Sequence, residues 1–251
     1  MRASNAPTPW VSFLQRQYDA AYYAMLRPAW AYSGLRVTRY YNDLLQTHGY
    51  TPQALAERAD DKDHDFYRHL FQGIPLVPNT SVLDVGCGMG HLLEFLRECQ
   101  ARPATYLGLD LVQAFVNRCQ QKYSAPYRFE CANFITRRFA PDEQYDMIVS
   151  LGALVSRVLG YEAYVAACVE KMLRLSRRYV LFNIITEVDR SQGNYQQVDQ
   201  VGGITYLPRP RLQQILERAA RTYGAEFEII EHRIYSDGTD AFVRMVKPSG
   251  K

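Results

Sequence analysis

The 251-residue chain lacks the patterns that mark several classes of protein. Its five cysteines are odd in number and never occur as C-x-x-C, which argues against a disulfide framework or a zinc site and favours a reducing cytoplasm. No run of about 18 apolar residues could span a bilayer, and the first residues lack the apolar core of a signal peptide. The formal charge of +3 gives no strong pull toward nucleic acid or an anionic membrane. We therefore expect a soluble cytoplasmic protein.

The hydrophobic pattern changes near residue 75. Aromatic and aliphatic residues recur at helical spacing between Trp10 and Gly73, which predicts a helical N-terminal region over residues 1–75. Interruptions are expected near Pro28, Gly34, Gly49 and Pro52. Residues 76–251 alternate short β-rich runs with helical ones, which is typical of an α/β fold with a doubly wound, mostly parallel sheet.

Seven strands are expected in this second region. They are Ser81–Val85, Thr105–Asp110, Tyr127–Glu130, Tyr145–Ser150, Tyr179–Ile185, Glu226–Ile234 and Ala241–Lys247. A turn signal at residues 236–239 joins the last two and leaves no room for a crossover helix. The sheet should therefore end in an antiparallel hairpin.

The stretch VLDVGCGMGHL, residues 82–92, places glycine at every second position directly after a strand. A strand, a glycine-rich turn and a helix together direct backbone N–H groups beyond the carboxyl end of the strand, where a ligand can bind. The spacing does not fit the G-x-G-x-x-G dinucleotide fingerprint, and no Lys-Ser/Thr pair follows as in a nucleotide P-loop.

The pattern D-x-G-x-G-x-G resembles the first motif of the class I S-adenosylmethionine-dependent methyltransferases, and the resemblance extends from about Val77 to Val246. It implies a methyltransferase that uses S-adenosylmethionine and releases S-adenosylhomocysteine. Asp84 would order the loop and the methionyl ammonium, while Gly86 and Gly88 would let the backbone approach the cofactor.

Later residues extend the resemblance. Asp110 ends the second strand, where a carboxylate would accept both ribose hydroxyls. Asn133 stands where the family usually has an aspartate for the adenine amino group, and its carbonyl oxygen can still accept that bond. The full set of expected cofactor-binding residues is Asp84, Gly86, Cys87, Gly88, Gly90, Asp110, Leu111, Asn133, Phe134, Ser150 and Leu151.

Methyl transfer depends mainly on holding the acceptor close to the methyl carbon and away from water, and a general base can assist. The candidates for catalysis are His64, His69 and Tyr22. His64 and His69 are five residues apart, which puts them on different faces of a helix, so we do not expect them to act as a pair. None of the histidines belongs to a cluster with metal-ligand spacing.

Substrate contacts are expected from the tyrosine-rich N-terminal region and from the long loop after the fifth strand. Tyrosines at helical spacing are ordinarily core residues, and the alternative is an aromatic cap over the acceptor. Long loops of this kind are often lids, here with Gly193, Gly202 and Gly203 as hinges. The expected substrate-binding residues are Tyr18, Tyr22, Asn183, Tyr195 and Tyr206.

Three functions remain open on the sequence. The first is methylation of an oxygen or nitrogen atom of a small molecule held under the N-terminal cap, for example an aromatic compound of a biosynthetic pathway. The second is methylation of RNA or protein, although no D/N-P-P-Y/F stretch follows the fourth strand. The third is a noncatalytic module that binds S-adenosylmethionine. Nucleic acid and membrane are not expected partners, and the oligomeric state stays open, a homodimer included.

Overall fold

The computed structural model describes residues 9–57, 65–191, 199–235 and 237–248, with the side chains of residues 9–16 and 65 left out of the description. The helices are α1 (Pro9–His48), α2 (Asp65–Phe71), α3 (His91–Glu98), α4 (Gln113–Lys122), α5 (Tyr161–Leu175) and α6 (Arg209–Tyr223). Short 3₁₀ turns span Pro52–Leu55 and Ala153–Val155. The strands are β1 (Ser81–Val85), β2 (Thr105–Asp110), β3 (Tyr127–Cys131), β4 (Tyr145–Ser150), β5 (Ser176–Val188), β6 (Glu226–His232) and β7 (Gly238–Val246).

The seven strands form one sheet in the order β3-β2-β1-β4-β5-β7-β6. Strands β1 to β5 run parallel, and β7 is antiparallel to both β5 and β6. The predicted doubly wound sheet and its terminal antiparallel hairpin are confirmed. Strand order reverses between β1 and β4, and ligands of such sheets bind beyond the carboxyl ends of the strands near this point.

Both faces of the sheet are covered by apolar side chains. Successive residues of a strand point to opposite faces, so Val82 belongs to the core under α3 while Leu83 belongs to the core under α5 and α6. This two-sided burial explains why the parallel strands read as continuous apolar runs. The sheet is thus a rigid platform whose edge can hold a site.

Helix α1 packs into the same core as the sheet through buried Trp30 and Val37. The Trp30 indole N–H also donates a hydrogen bond to the Leu159 carbonyl at 3.1 Å. The expected interruptions at Pro28 and Gly34 are wrong, because α1 continues unbroken through both residues. Tertiary packing along the helix outweighs the missing proline N–H and the low helix propensity of glycine.

Although α1 is 40 residues long, none of the described helices combines the length and hydropathy needed to cross a membrane.

Candidate functional site at the carboxyl edge of the sheet

A cavity of about 560 Å³ lies at the carboxyl edge of the parallel strands. Its floor is formed by residues at the ends of β1 and β2 and directly after β4, and its roof by the last third of α1 and the 3₁₀ turn at Pro52–Leu55. The side toward the hairpin is closed by β5, β7 and α2. The volume falls in the range of small-molecule sites, which is about 300–1,000 Å³.

Gly86 lines the cavity and explains why the first turn needs glycine. Its φ is +83°, which side chains rarely tolerate, and a β-carbon there would lie only 2.4 Å from the Ala153 β-carbon. Cys87 also lines the cavity. Gly88 and Gly90 share the left-handed backbone but lie outside the lining, where their neighbours are Leu55 and Tyr123.

Three backbone N–H groups of this turn donate hydrogen bonds to backbone carbonyls of the protein. Those of Gly86 and Cys87 donate to the Leu109 carbonyl at 2.7 and 2.9 Å, and that of Gly90 donates to the Cys87 carbonyl at 2.8 Å. The first two of these groups therefore tie the glycine turn to β2, and the third closes the turn itself. The predicted N–H cradle for a ligand therefore stays a prediction, and it does not include the N–H groups of Gly86, Cys87 and Gly90.

Asp110 is the central polar group of the cavity floor. Its carboxylate accepts the N–H of Gly88 at 2.9 Å and that of Val112 at 2.8 Å, so it ties the glycine turn to the end of β2. A carboxylate has about four lone-pair sites, which leaves acceptor capacity for two further hydroxyl groups. Burial raises the pKa of Asp110, and the backbone hydrogen bonds oppose that rise. Leu111 lies beside it in the lining.

Asp84 lies beneath the turn and outside the cavity lining, with only 3% of its surface exposed. The Tyr106 hydroxyl donates a hydrogen bond to its carboxylate. Burial raises the pKa of Asp84 to about 7, against the lowering effect of the Tyr106 bond, and the nearby negative charge of Asp110 raises it further. Asp84 therefore bonds to the neighbouring strand β2, two residues before Gly86.

Asn133 and Phe134 line the far end of the cavity. The Asn133 side-chain oxygen accepts a hydrogen bond from the Ile135 N–H at 3.1 Å, which fixes the amide toward the cavity and leaves one lone pair of that oxygen for a ligand.

Buried Lys171 on α5 donates hydrogen bonds from Nζ to the backbone carbonyls of this turn, namely those of Phe134, Ile135 and Arg137. Burial lowers the pKa of Lys171 to about 8. Nothing in the sequence marked this lysine, because a single lysine in a helix resembles a solvated residue.

Gly34 brings α1 close to the same end of the cavity. A β-carbon at Gly34 would lie 2.7 Å from Asn133 Nδ2, so the glycine permits the helix to pass directly above that side chain. Further along α1, one face of the helix covers the rest of the cavity. The roof residues of α1 are Val37, Tyr40, Tyr41, Leu44 and His48. Burial raises the pKa of Tyr41 to about 12, against the lowering effect of its hydrogen bond with Ser156.

Tyr18 and Tyr22 do not line the cavity. Their rings stack on each other 6.3 Å apart on the surface of α1, with 67% and 38% of their area exposed. Tyr22 lies 18 residues before Tyr40, or about 27 Å along the axis at 1.5 Å per residue, so it is too far from the roof to contribute. The tyrosines of α1 that line the cavity are therefore Tyr40 and Tyr41, and not the pair expected from the sequence.

Neither of the two histidines proposed for catalysis is among the described residues that line the cavity. His69 on α2 packs against His232 with ring centres 4.0 Å apart, and it lies outside the cavity lining. His64 lies outside the described residues. The histidines that do line the cavity are His48 at the end of α1 and His91 at the start of α3.

A chain of hydrogen bonds closes the site toward the hairpin. The Gly152 N–H donates to Asn183 Oδ1 at 2.7 Å, and Asn183 Nδ2 donates to Asp240 Oδ1 at 3.0 Å. Gly152, Asn183 and Asp240 all line the cavity, as does Leu151. Buried Ser150 instead donates to the Val85 carbonyl at 3.1 Å and locks β4 to β1. Asp240 went unnoticed in the sequence because an acid next to a turn usually reads as solvated.

The loop after β5 is tied down over its described part. The Thr205 N–H donates to the Val155 carbonyl at 2.7 Å, and the Gly202 N–H donates to the Arg157 carbonyl at 2.9 Å. Tyr206 contacts Arg190 outside the cavity lining. The hinge Gly193 and the substrate candidate Tyr195 lie outside the described residues.

The charged side chains among the described residues of the cavity lining are acidic. Glu57, Asp110 and Asp240 carry carboxylates, and no lysine or arginine appears among the described residues of the lining. Across the described parts of the chain, no three His, Cys, Asp or Glu side chains are grouped to hold a metal ion.

Comparison with known proteins places this geometry in a fold family. A family model described as a methyltransferase domain matches residues 82–178. A search of curated proteins gave no match. The solved structures that resemble the chain include a magnesium protoporphyrin IX methyltransferase from Synechocystis with bound S-adenosylhomocysteine, at 17% identity and a TM-score of 0.52. That alignment covers 85% of this chain and 93% of the other.

Two further structures give a similar result. An S-adenosylmethionine-dependent methyltransferase from Mesorhizobium loti aligns at 17% identity with a TM-score of 0.56, over 75% of this chain and 99% of the other. An S-adenosylmethionine-dependent methyltransferase from Leishmania major aligns at 14% identity with a TM-score of 0.60, over 84% and 82%. The chain therefore has the fold of the class I S-adenosylmethionine-dependent methyltransferases, and residues 82–178 match the family model of a methyltransferase domain.

Proposed function

We propose that this protein transfers the methyl group of S-adenosylmethionine to a nitrogen or oxygen atom of a small molecule held in the cavity under α1. The observation that carries the proposal is the single cavity that joins Asp110 and Asn133 at one end to Asn183 and Asp240 at the other. One continuous cavity of this size can hold donor and acceptor side by side.

The residues at the first end fit the adenosyl half of the donor. Asp110 retains acceptor capacity for a pair of ribose hydroxyls, and the Asn133 amide can pair with the edge of a base. Leu111 and Phe134 add apolar surface for a flat ring. When bound, S-adenosylmethionine supplies an electrophilic methyl group on a positively charged sulfur.

The remaining residues favour the reaction by position and charge. The α1 roof and the 3₁₀ turn cover one side of the cavity, and limited contact with water strengthens electrostatic interactions there. Three carboxylates favour a positively charged donor in this space. The same carboxylates disfavour a polyanion, so RNA is a poorer acceptor than a neutral or cationic small molecule.

Calorimetric titration with S-adenosylhomocysteine, followed by transfer of labelled methyl from S-adenosylmethionine to a panel of small amines, phenols and carboxylic acids, tests this proposal. We expect binding and labelled product from an amine or a phenol. Absence of binding would overturn the proposal. Binding with label transferred only to RNA or protein, or to no acceptor, would support one of the two other functions.

A further inference from the structure

The end of the cavity near the hairpin combines a buried carboxylate with two aromatic rings. Asp240 on β7 lines the cavity with 5% of its surface exposed. Phe66 on α2 and Tyr235 in the hairpin line it as well, with ring centres 5.9 Å apart. This group of three residues is called the acid–aromatic corner below.

The residues of the acid–aromatic corner lie on one face of the hairpin. Asp240 and Phe242 are two residues apart on β7, so their side chains share one face of the strand. Phe66 packs on Phe242 with ring centres 6.0 Å apart, which places the Phe66 ring on the face that carries Asp240. The carboxylate and the aromatic rings therefore lie on the same side of the hairpin, toward the cavity.

Asp240 is also held in position. Its Oδ1 accepts a hydrogen bond from Asn183 Nδ2 at 3.0 Å, and Asn183 is fixed in turn by the Gly152 N–H. A buried carboxylate needs such partners, because an isolated charge in an apolar site is costly. The chain of bonds from β4 through β5 to β7 aims one acid at the cavity end opposite Asp110.

We propose that the acid–aromatic corner binds the methyl acceptor and that the acceptor is a small amine, with Asp240 receiving one of its protons. A carboxylate pairs with an ammonium group, and aromatic faces attract the same cation. This inference rests on the proposed function and narrows its acceptor from nitrogen or oxygen to nitrogen.

The chemistry balances with these groups. One N–H proton passes from the bound ammonium to Asp240 and frees the nitrogen lone pair. That lone pair forms the new N–C bond as the methyl carbon leaves sulfur, and the electron pair of the C–S bond stays on sulfur. Asp240 then releases the proton to water, so each methyl transferred yields one proton.

Binding of two donor analogues tests the corner without a known acceptor. S-Adenosylhomocysteine has no group where the methyl would be, whereas sinefungin carries a primary amine there. We expect wild type to prefer sinefungin, and Asp240→Asn to reduce the ratio of sinefungin to S-adenosylhomocysteine affinity about tenfold or more, since a neutral amide replaces a buried charge. Isothermal titration calorimetry measures both affinities.

Asp237→Asn is the matched control, because Asp237 is a buried acid of the same hairpin, 3% exposed, that does not line the cavity. It should leave the affinity ratio unchanged. If Asp240→Asn does not fold, Tyr235→Leu should still reduce the ratio by removing one aromatic face. An unchanged ratio in a folded variant that binds S-adenosylhomocysteine overturns the inference alone, whereas wild type that binds neither analogue overturns the proposed function.

Discussion

Asp110 joins two segments of backbone and faces the cavity with the same carboxylate. The Gly88 and Val112 N–H groups occupy part of its acceptor capacity, which fixes the carboxylate relative to the glycine turn. A side chain positioned in this way loses little freedom when a ligand binds. The residue therefore has a structural role and a proposed ribose-binding role that one substitution removes together.

Asp110→Asn should weaken S-adenosylhomocysteine binding about tenfold or more, because an amide can replace only one of the two acceptor oxygens and carries no charge. Asp146→Asn is the matched control, since Asp146 accepts the Ser81 N–H at 2.8 Å at the opposite edge of the sheet. Calorimetry should show normal affinity for the control variant. Equal affinities of Asp110→Asn and wild type would contradict the placement of the ribose.

Asp84 should make stability depend on pH. Its pKa rises from 3.8 in the unfolded chain to about 7 in the fold, so the folded state binds more protons between these values. The contribution of Asp84 to the free energy of unfolding is therefore largest below about pH 4 and is lost as the pH rises through about 7. Relative to Asp84→Asn, wild type should lose about 3 kcal/mol of unfolding free energy over that range.

Urea unfolding of both proteins at pH 4, 5.5 and 7 measures this difference. Asparagine keeps an acceptor oxygen for the Tyr106 hydroxyl, so the comparison isolates the charge. A constant difference across the three pH values would show that Asp84 has an ordinary pKa in the fold.

At the scale of elements, α1 was the least predictable part of the chain. Pro28 and Gly34 read locally as breaks, yet the helix continues because Trp30 and Val37 are buried along its length. The strands were predictable, since apolar runs and turn residues identify them locally. Which tyrosines face the cavity depends on how far α1 extends across the sheet, and that distance is set by packing that local spacing does not encode.

Gly34→Ala should affect binding more than folding. Alanine ordinarily stabilises a helix by about 1 kcal/mol relative to glycine. Here the new methyl would displace the Asn133 amide, which is only 2.7 Å away. We expect normal or higher thermal stability with about tenfold weaker S-adenosylhomocysteine binding, measured by thermal unfolding and calorimetry.

Asn133→Ala provides the comparison for this variant. In that background Gly34→Ala should no longer reduce affinity, because the side chain with which the methyl collides has been removed. A similar loss of affinity in both backgrounds would show that Gly34 acts through another contact.

For the whole molecule, the cavity is assembled from distant segments. The glycine motif and Asp110 could be predicted because they belong to one β-α-β segment with fixed spacing. The roof and the acid–aromatic corner come from α1, α2 and the hairpin, which meet only in the folded chain. Their chemistry could not be inferred from any single stretch of sequence.

Ligand binding should accordingly stabilise the entire fold. At 100 times its dissociation constant, S-adenosylhomocysteine should add about 2.7 kcal/mol and raise the melting temperature by about 5–10 °C. Differential scanning fluorimetry measures this shift. NAD at the same concentration should leave the melting temperature unchanged, because the glycine spacing does not fit a dinucleotide; a comparable shift with NAD would contradict that exclusion.

The continuity of α1 also determines how molecules enter and leave. A helix without a break at Pro28 or Gly34 has no hinge at which it could swing away from the cavity. We therefore expect ligands to enter and leave on the sides formed by the 3₁₀ turn and the hairpin. Dissociation rates should respond to substitutions at Leu55 and Tyr235, which border those sides, and not to changes at Pro28.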